Sequence, residues 1–236
     1  MIKEKQMNDQ NKWNRAYHRG GNICFYPHEE IIRFINKYVR KRDGINEFHN
    51  VMDLPEEEWN CFRSLDLGCG IGRHVKFLDE FGLNPFGVDL SDAAVSMGKN
   101  WFRELGREEL ADKIIVGNVM DLPYDDEFFW ICVSCGTLDS MNREIAKKGM
   151  EEALRVLKKG GLMYLDLIMN TEKGNKDEIV DFGYEKDTVQ SYFTVEGMKD
   201  FLGEGVEIME FNIVTLCDET GKEKDKRAHL VIRKNG

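Results

Sequence analysis

The chain is poor in several things, and each shortage closes off a class of protein. Its four prolines, Pro27, Pro55, Pro85 and Pro123, are never adjacent, and no internal repeat or low-complexity tract occurs. No run of about 18 apolar residues is present, which excludes a transmembrane helix. The first residues, Met1-Ile2-Lys3-Glu4-Lys5-Gln6, are polar and lack the apolar centre of a signal peptide. Basic charge is in deficit: 33 Lys and Arg stand against 43 Asp and Glu, a net charge of −10. Nucleic-acid binders carry a basic field, so no nucleic-acid partner is expected. The one basic patch, Lys147, Lys148, Arg155, Lys158 and Lys159, reads as the solvated face of a predicted helix. Six cysteines are scattered through mostly apolar surroundings, which suits a reducing cytoplasm. Cys132 and Cys135 make a C-x-x-C, but in a predicted strand residues three apart face opposite ways, and no second pair exists. The five histidines, His18, His28, His49, His74 and His229, show no H-x-x-x-H pattern. No metal site is expected.

What is present is concentrated between residues 62 and 90. Phe62 to Leu67 is a mostly apolar run ending in a glycine turn, as in a buried parallel strand. Gly68, Gly70 and Gly72 sit two apart, and glycine lets a ligand approach the backbone closely. Val75, Phe77, Leu78 and Phe81 then recur at near-helical spacing, so a helix starts at the turn. Asn84 to Leu90 resumes a strand with Asp89 at its tip, where a carboxylate can accept from both ribose hydroxyls. A dinucleotide site wants G-x-G-x-x-G, and its third glycine falls here on Arg73. That departure argues against a dinucleotide oxidoreductase. Asp66, two residues before the first glycine, would repel a pyrophosphate but suits an ammonium.

This stretch resembles the class I S-adenosylmethionine-dependent methyltransferases, over roughly Phe62 to Met169. The family's acid-x-G-x-G-x-G run is matched by Asp66, Gly68, Gly70 and Gly72, and its second-strand acid by Asp89. Its adenine-binding acid is replaced by Asn118, whose carbonyl can still accept from the amine; the Val119 backbone N–H would serve the ring. The resemblance implies a doubly wound α/β fold with a mostly parallel seven-stranded sheet and terminal antiparallel strands. It implies S-adenosyl-L-methionine as cofactor, with Cys69, Leu90 and Ser134 added to the cofactor set. In this fold a [DNS]-P-P-[YF] run marks amino methylation of bases or glutamine amides. Its absence, together with the acidic charge, disfavours nucleic-acid N-methylation.

The rest of the chain is read more coarsely. Residues 1–60 form an N-terminal helical extension or cap, and 61–236 the cofactor-binding domain. Residues 1 to about 10 are polar and expected to be mobile. Trp13 and Tyr17, one helical turn apart, cover the methionine end of the cofactor or staple the extension to the core. Pro27 starts a helix through Val39, and Gly44 to Asn60 is an acidic loop. Ser91 caps a helix running to about Leu105. Lys113 to Gly117 and Phe129 to Cys135 are strands three and four. A helix spans Asn142 to Leu157 and stops at Gly160-Gly161; Leu162 to Met169 is strand five. Asn170 to Ser191 is polar and irregular, and Thr194 caps a short helix to Leu202. Val206 to Cys217 and His229 to Arg233 form a terminal hairpin around Glu219-Thr220-Gly221-Lys222.

Methyl transfer from a sulfonium needs alignment and exclusion of water, and a base only when the nucleophile stays protonated. The loop after strand four offers Asp139 as base or substrate anchor, or as an N-terminal acid of the next helix. Arg143 can bind a carboxylate or serve as an ordinary surface charge. Phe182, Tyr184, Tyr192 and Phe193 can line the acceptor, with Tyr192 the candidate contact. His18 and His28 are lesser candidates. The expected activity is methyl transfer to O or N of a small metabolite, a sugar or organic acid, by a cytoplasmic monomer or homodimer. The alternative is a cofactor-binding sensor or subunit without transfer activity.

Overall fold

The computed structural model describes residues 2–169 and 174–236. The N-terminal part is helical: α1 (Ile2–His18), α2 (Glu29–Phe34) and a π-helical turn (Ile35–Val39). A small hairpin, β1 (Arg40–Arg42) and β2 (Phe48–Asn50), and α3 (Glu56–Asn60) follow. Strands and helices then alternate: β3 (Ser64–Leu67), α4 (Arg73–Glu80), β4 (Pro85–Asp89), α5 (Asp92–Glu104), α6 (Glu108–Ala111) and β5 (Ile114–Val116). Next come β6 (Phe129–Ser134), α7 (Arg143–Val156) and β7 (Leu157–Ile168). A second hairpin, β8 (Lys176–Ile179) and β9 (Val189–Tyr192), precedes α8 (Val195–Leu202), β10 (Val206–Cys217) and β11 (Glu223–Lys234).

Seven strands make one sheet in the order β10-β11-β7-β6-β3-β4-β5. Strands β3 to β7 pair in parallel, and β11 runs antiparallel to both β7 and β10. The chain leaves β3 toward β5 and then returns to lay β6 on the other side of β3. That reversal opens a crevice at the strands' carboxyl ends, where open α/β sheets bind ligands. Every residue of β3 is buried, because helices cover both faces of the sheet. Leu65, Leu67, Phe129, Met163 and Phe193 pack on one side. On the other, Ile31, Phe34 and Ile35 of the N-terminal part pack with Phe77, Val133 and Tyr164. Full burial of each such side chain stabilises by about 1.5–3 kcal/mol, so residues 31–39 share the sheet's own core.

The two expected caps, Ser91 and Thr194, are formed, and Asn142 caps α7 as well. Ser91 accepts from Ala94 N (3.1 Å), Asn142 from Ile145 N (3.0 Å) and Thr194 from Gly197 N (3.0 Å). Each satisfies an orphan amide and contributes about 1 kcal/mol.

Several boundaries differ from the sequence reading. The polar tail from residue 2 onward is the first part of α1. The second helix begins at Glu29, capped by the His28 side chain on Glu30 N, not at Pro27. The supposed acidic loop holds β2 and α3, and the polar stretch after Asn170 holds β8 and β9. These strands are short and polar, and cross-strand pairing rather than local pattern creates them. Residues 170–173 of that stretch lie outside the described residues. β7 starts at Leu157 and runs through Gly160-Gly161, because Leu157 already pairs with Phe129. β11 begins at Glu223, six residues before the expected His229.

Candidate active site

The carboxyl ends of β3, β4, β6 and β7 open into a cavity of ≈540 Å³. Its first wall is the glycine turn. Gly68 N and Cys69 N both donate to Val88 O (2.8 and 3.0 Å), which ties the turn to β4. Gly70 has φ 55°, and a Cβ there would lie 2.6 Å from the Tyr17 hydroxyl. Gly72, at φ 87°, caps α4 from behind the wall; its Cβ would meet Phe102 at 2.7 Å. Only glycine satisfies both demands at once.

Asp89 is the charged centre of this half. Its Oδ2 accepts from Gly70 N and its Oδ1 from Ser91 N, both at 2.8 Å. Each oxygen keeps a second lone pair, and the residue lines the cavity. Burial raises its carboxyl to about 6, against the pull of the two amides. Leu90, Val119 and Asn118 line the same half. Asn118 Oδ1 accepts from Met120 N (2.9 Å), so that oxygen is partly engaged. Asp66 is buried and does not line the cavity; its Oδ1 lies 3.5 Å from His74 Nδ1. Its Oδ2 has no partner among the described residues, an unsatisfied acceptor that a cationic ligand group would relieve. Ser134 is also buried behind the wall, its Oγ without a partner among the described residues.

Helix α1 roofs this half: Trp13 and Tyr17 line the cavity and also pack on Ile71, Ala93 and Ala94. What the sequence did not suggest is its fastening. Asn14 Oδ1 accepts from Ser91 Oγ (2.7 Å) and Ala93 N (3.3 Å), while its Nδ2 donates to Asp92 (2.5 Å). The roof is thus pinned to the start of α5, two residues from Asp89.

The other half lies at the ends of β6 and β7. Asp166 accepts from Gly136 N (2.6 Å) and from Arg227 Nη1 (2.7 Å). Arg73, Cys24, His28 and Cys135 line this half, with Thr188, Val189, Gln190 and Glu185 of the second hairpin. Glu185 accepts from Asn22 Nδ2 (2.6 Å), joining the hairpin to the N-terminal cap. His74 Nε2 accepts from the His28 amide (3.3 Å), which assigns its proton to Nδ1, toward Asp66. His28 Nδ1 accepts from Glu30 N (3.3 Å), which leaves Nε2–H as a donor. Burial lowers the His28 imidazole below its ordinary value, so it is neutral at pH 7.

The acceptor residues expected from sequence are not brought together. Asp139 is fully buried and absent from the cavity wall. Its Oδ2 accepts from Ile168 N (3.0 Å) and pairs with Arg227 Nη1 (3.0 Å). Burial pushes its carboxyl up, opposed by Arg227. It lies three residues before the Asn142 cap and thus outside the first turn of α7. Arg143 donates to Asp177 (2.8 Å), and the Tyr192 hydroxyl reaches Gln190 (3.4 Å); neither lines the cavity. Phe182 and Tyr184 are exposed, while Phe193 is buried against Phe201. The expected aromatic wall is therefore replaced by Thr188 to Gln190. Two residues here carried a usable signal: Asp166 lies two residues before the end of β7, and Arg73 follows the glycine turn. Arg227 and Asn14 carried none.

Comparison with known proteins bears on the fold that carries this cavity. Residues 65–165 match the family described as a methyltransferase domain. The chain is 26% identical over 188 residues to a sterol 4-C-methyltransferase of Caenorhabditis elegans. The match covers 76% of this chain and 48% of that protein, so the chain spans about half the length of this relative. Among solved structures, an S-adenosylmethionine-dependent methyltransferase from Methanosarcina mazei superposes with a TM-score of 0.60 at 21% identity. It covers 78% of this chain and 99% of its own. A [4+2]-cyclase, SpnF, superposes with a TM-score of 0.62 at 18% identity, over 98% and 94% of the two chains.

Proposed function

We propose that this chain, whose residues 65–165 match a methyltransferase domain, is a class I S-adenosylmethionine-dependent enzyme that transfers the cofactor's methyl group to an oxygen or nitrogen of a small metabolite, a sugar or organic acid. One observation carries the reading: Asp89, held by two backbone amides at the tip of β4, presents free lone pairs to the cavity beside the glycine turn. Asp89 would hold the ribose. Gly68, Cys69 and Gly70 leave room for the backbone to approach the ligand, and Leu90, Asn118 and Val119 would hold the adenine. Trp13 and Tyr17 would exclude water from above. When bound, the cofactor supplies an already activated methyl group; the protein's task is alignment and dryness. The six free cysteines fit a reducing cytoplasm.

Calorimetry tests the reading. S-adenosylhomocysteine should bind at micromolar concentration, and Asp89→Ala should weaken it at least tenfold. No binding at high micromolar concentration, with no effect of the substitution, would sink it. The [4+2]-cyclase neighbour shows that this fold does not fix the reaction. Tritiated cofactor incubated with a metabolite extract separates the two readings. A labelled metabolite supports transfer; tight cofactor binding without any labelled product supports the binding protein.

A further inference from the structure

Of the lysine and arginine side chains that line the cavity, all but one are ion-paired among the described residues. Lys12 pairs with Asp9 (3.3 Å), and Arg227 is shared by Asp139 and Asp166. Arg73 is the exception. It lines the cavity on the acceptor half, and among the described residues no carboxylate lies within ion-pairing distance of it. Its hydrogen-bond partner among the described residues is sulfur: Nη2 donates to Cys135 Sγ at 3.8 Å, and Cys24 lines the same cavity. Burial holds the Cys135 thiol well above its ordinary range, so it offers no negative charge. A partly buried guanidinium with thiol neighbours keeps most of its five donors unmatched.

Position decides what it faces. Cys135 follows β6, the strand beyond β3 from the ribose acid on β4. His28, whose Nε2–H is a donor, lines the same half. A planar cation and a neutral N–H donor therefore share the side of the cavity away from Asp89. A planar oxyanion matches that pair, because a carboxylate accepts two parallel bonds from a guanidinium.

Resting on the methyltransferase reading above, we propose that Arg73 is a specificity-determining residue that binds a carboxylate of the methyl acceptor, with His28 as a second donor. The acceptor class is then narrowed to small organic acids. Neutral sugars and free amines lack the group that would neutralise Arg73.

The test divides a metabolite extract by anion exchange into anionic and non-anionic pools. Each pool is incubated with full-length protein and tritiated S-adenosylmethionine. Label should enter the anionic pool, and prior esterification of that pool's carboxylates should remove it. Arg73→Gln and Arg73→Lys should lower labelling about 10- to 100-fold. Both should bind S-adenosylhomocysteine within about twofold of wild type, which also reports an intact fold. Label entering only the non-anionic pool would overturn the proposal and leave the methyltransferase reading standing. Loss of S-adenosylhomocysteine affinity in step with labelling would also overturn it, by giving Arg73 to the cofactor's own carboxylate. Absence of both label and S-adenosylhomocysteine binding in wild type would overturn both readings together.

Discussion

At Asp89, one side chain serves structure and ligand with opposite charge preferences. Burial favours its protonated form, and a ribose diol favours the carboxylate. Its carboxyl stands at about 6 in the folded protein, above the ordinary 3.8. The ligand-free folded state therefore binds this proton more tightly than the unfolded chain does. This group's contribution to stability is present below pH 4 and is lost as pH rises through 6. Cofactor affinity runs the other way. S-adenosylhomocysteine should bind about tenfold more weakly per pH unit below 6. Calorimetry at pH 5 and 7.5 checks this, and Asp89→Asn should flatten the dependence. Gly70 makes the complementary case of shape. Alanine there meets both a positive φ and the Tyr17 hydroxyl. Gly70→Ala should cost about 1–3 kcal/mol in urea unfolding and abolish S-adenosylhomocysteine binding.

Among the elements, the legible ones were those whose pattern is local. β3 and α4 announced themselves by burial on both faces, three spaced glycines and a helical apolar stripe. The caps at Ser91 and Thr194 were readable because a cap needs only its own next three residues. β8 and β9 were not, since Lys176-Asp177-Glu178-Ile179 has no apolar alternation and becomes a strand through its partner. Asp139 was misleading for a related reason. Its place after strand four suggested chemistry, but its partners come from β7 and β11, far along the chain. The substitutions that test its role are asymmetric. Asp139→Asn can keep both accepted bonds and put an amide where Oδ1 now lacks a partner. It should change stability by under about 1 kcal/mol. Arg227→Met strips two buried carboxylates of one shared cation and should cost about 3–5 kcal/mol. Urea denaturation of the two variants measures both.

Over the whole molecule, most of the residues expected around the glycine turn meet at the cavity, and those expected to touch the acceptor do not. The half around Asp89 centres on one βαβ unit, residues 64 to 90, to which Asn118, Val119 and α1 are added. The other half is assembled from the N-terminal cap, the ends of β6 and β7, the second hairpin and β11, so Arg227 meets Asp166 across 61 residues of sequence. No window of the chain displays that meeting. Ligand binding should register across these parts together. S-adenosylhomocysteine at 100 times its dissociation constant should raise stability by about 2.7 kcal/mol. Hydrogen exchange should slow most in α1 and in the glycine turn. The Asn14 clasp gives α1 a further consequence. On the proposed function, a ligand beneath α1 leaves when that roof lifts, and both the Asn14 clasp and the packing of Trp13 and Tyr17 on Ile71, Ala93 and Ala94 resist the lift. Residence time would then depend on the helix rather than on the acceptor. Asn14→Ala should shorten that residence time three- to tenfold in stopped-flow displacement, the worth of about 1 kcal/mol of hydrogen bonding, whatever molecule received the methyl group.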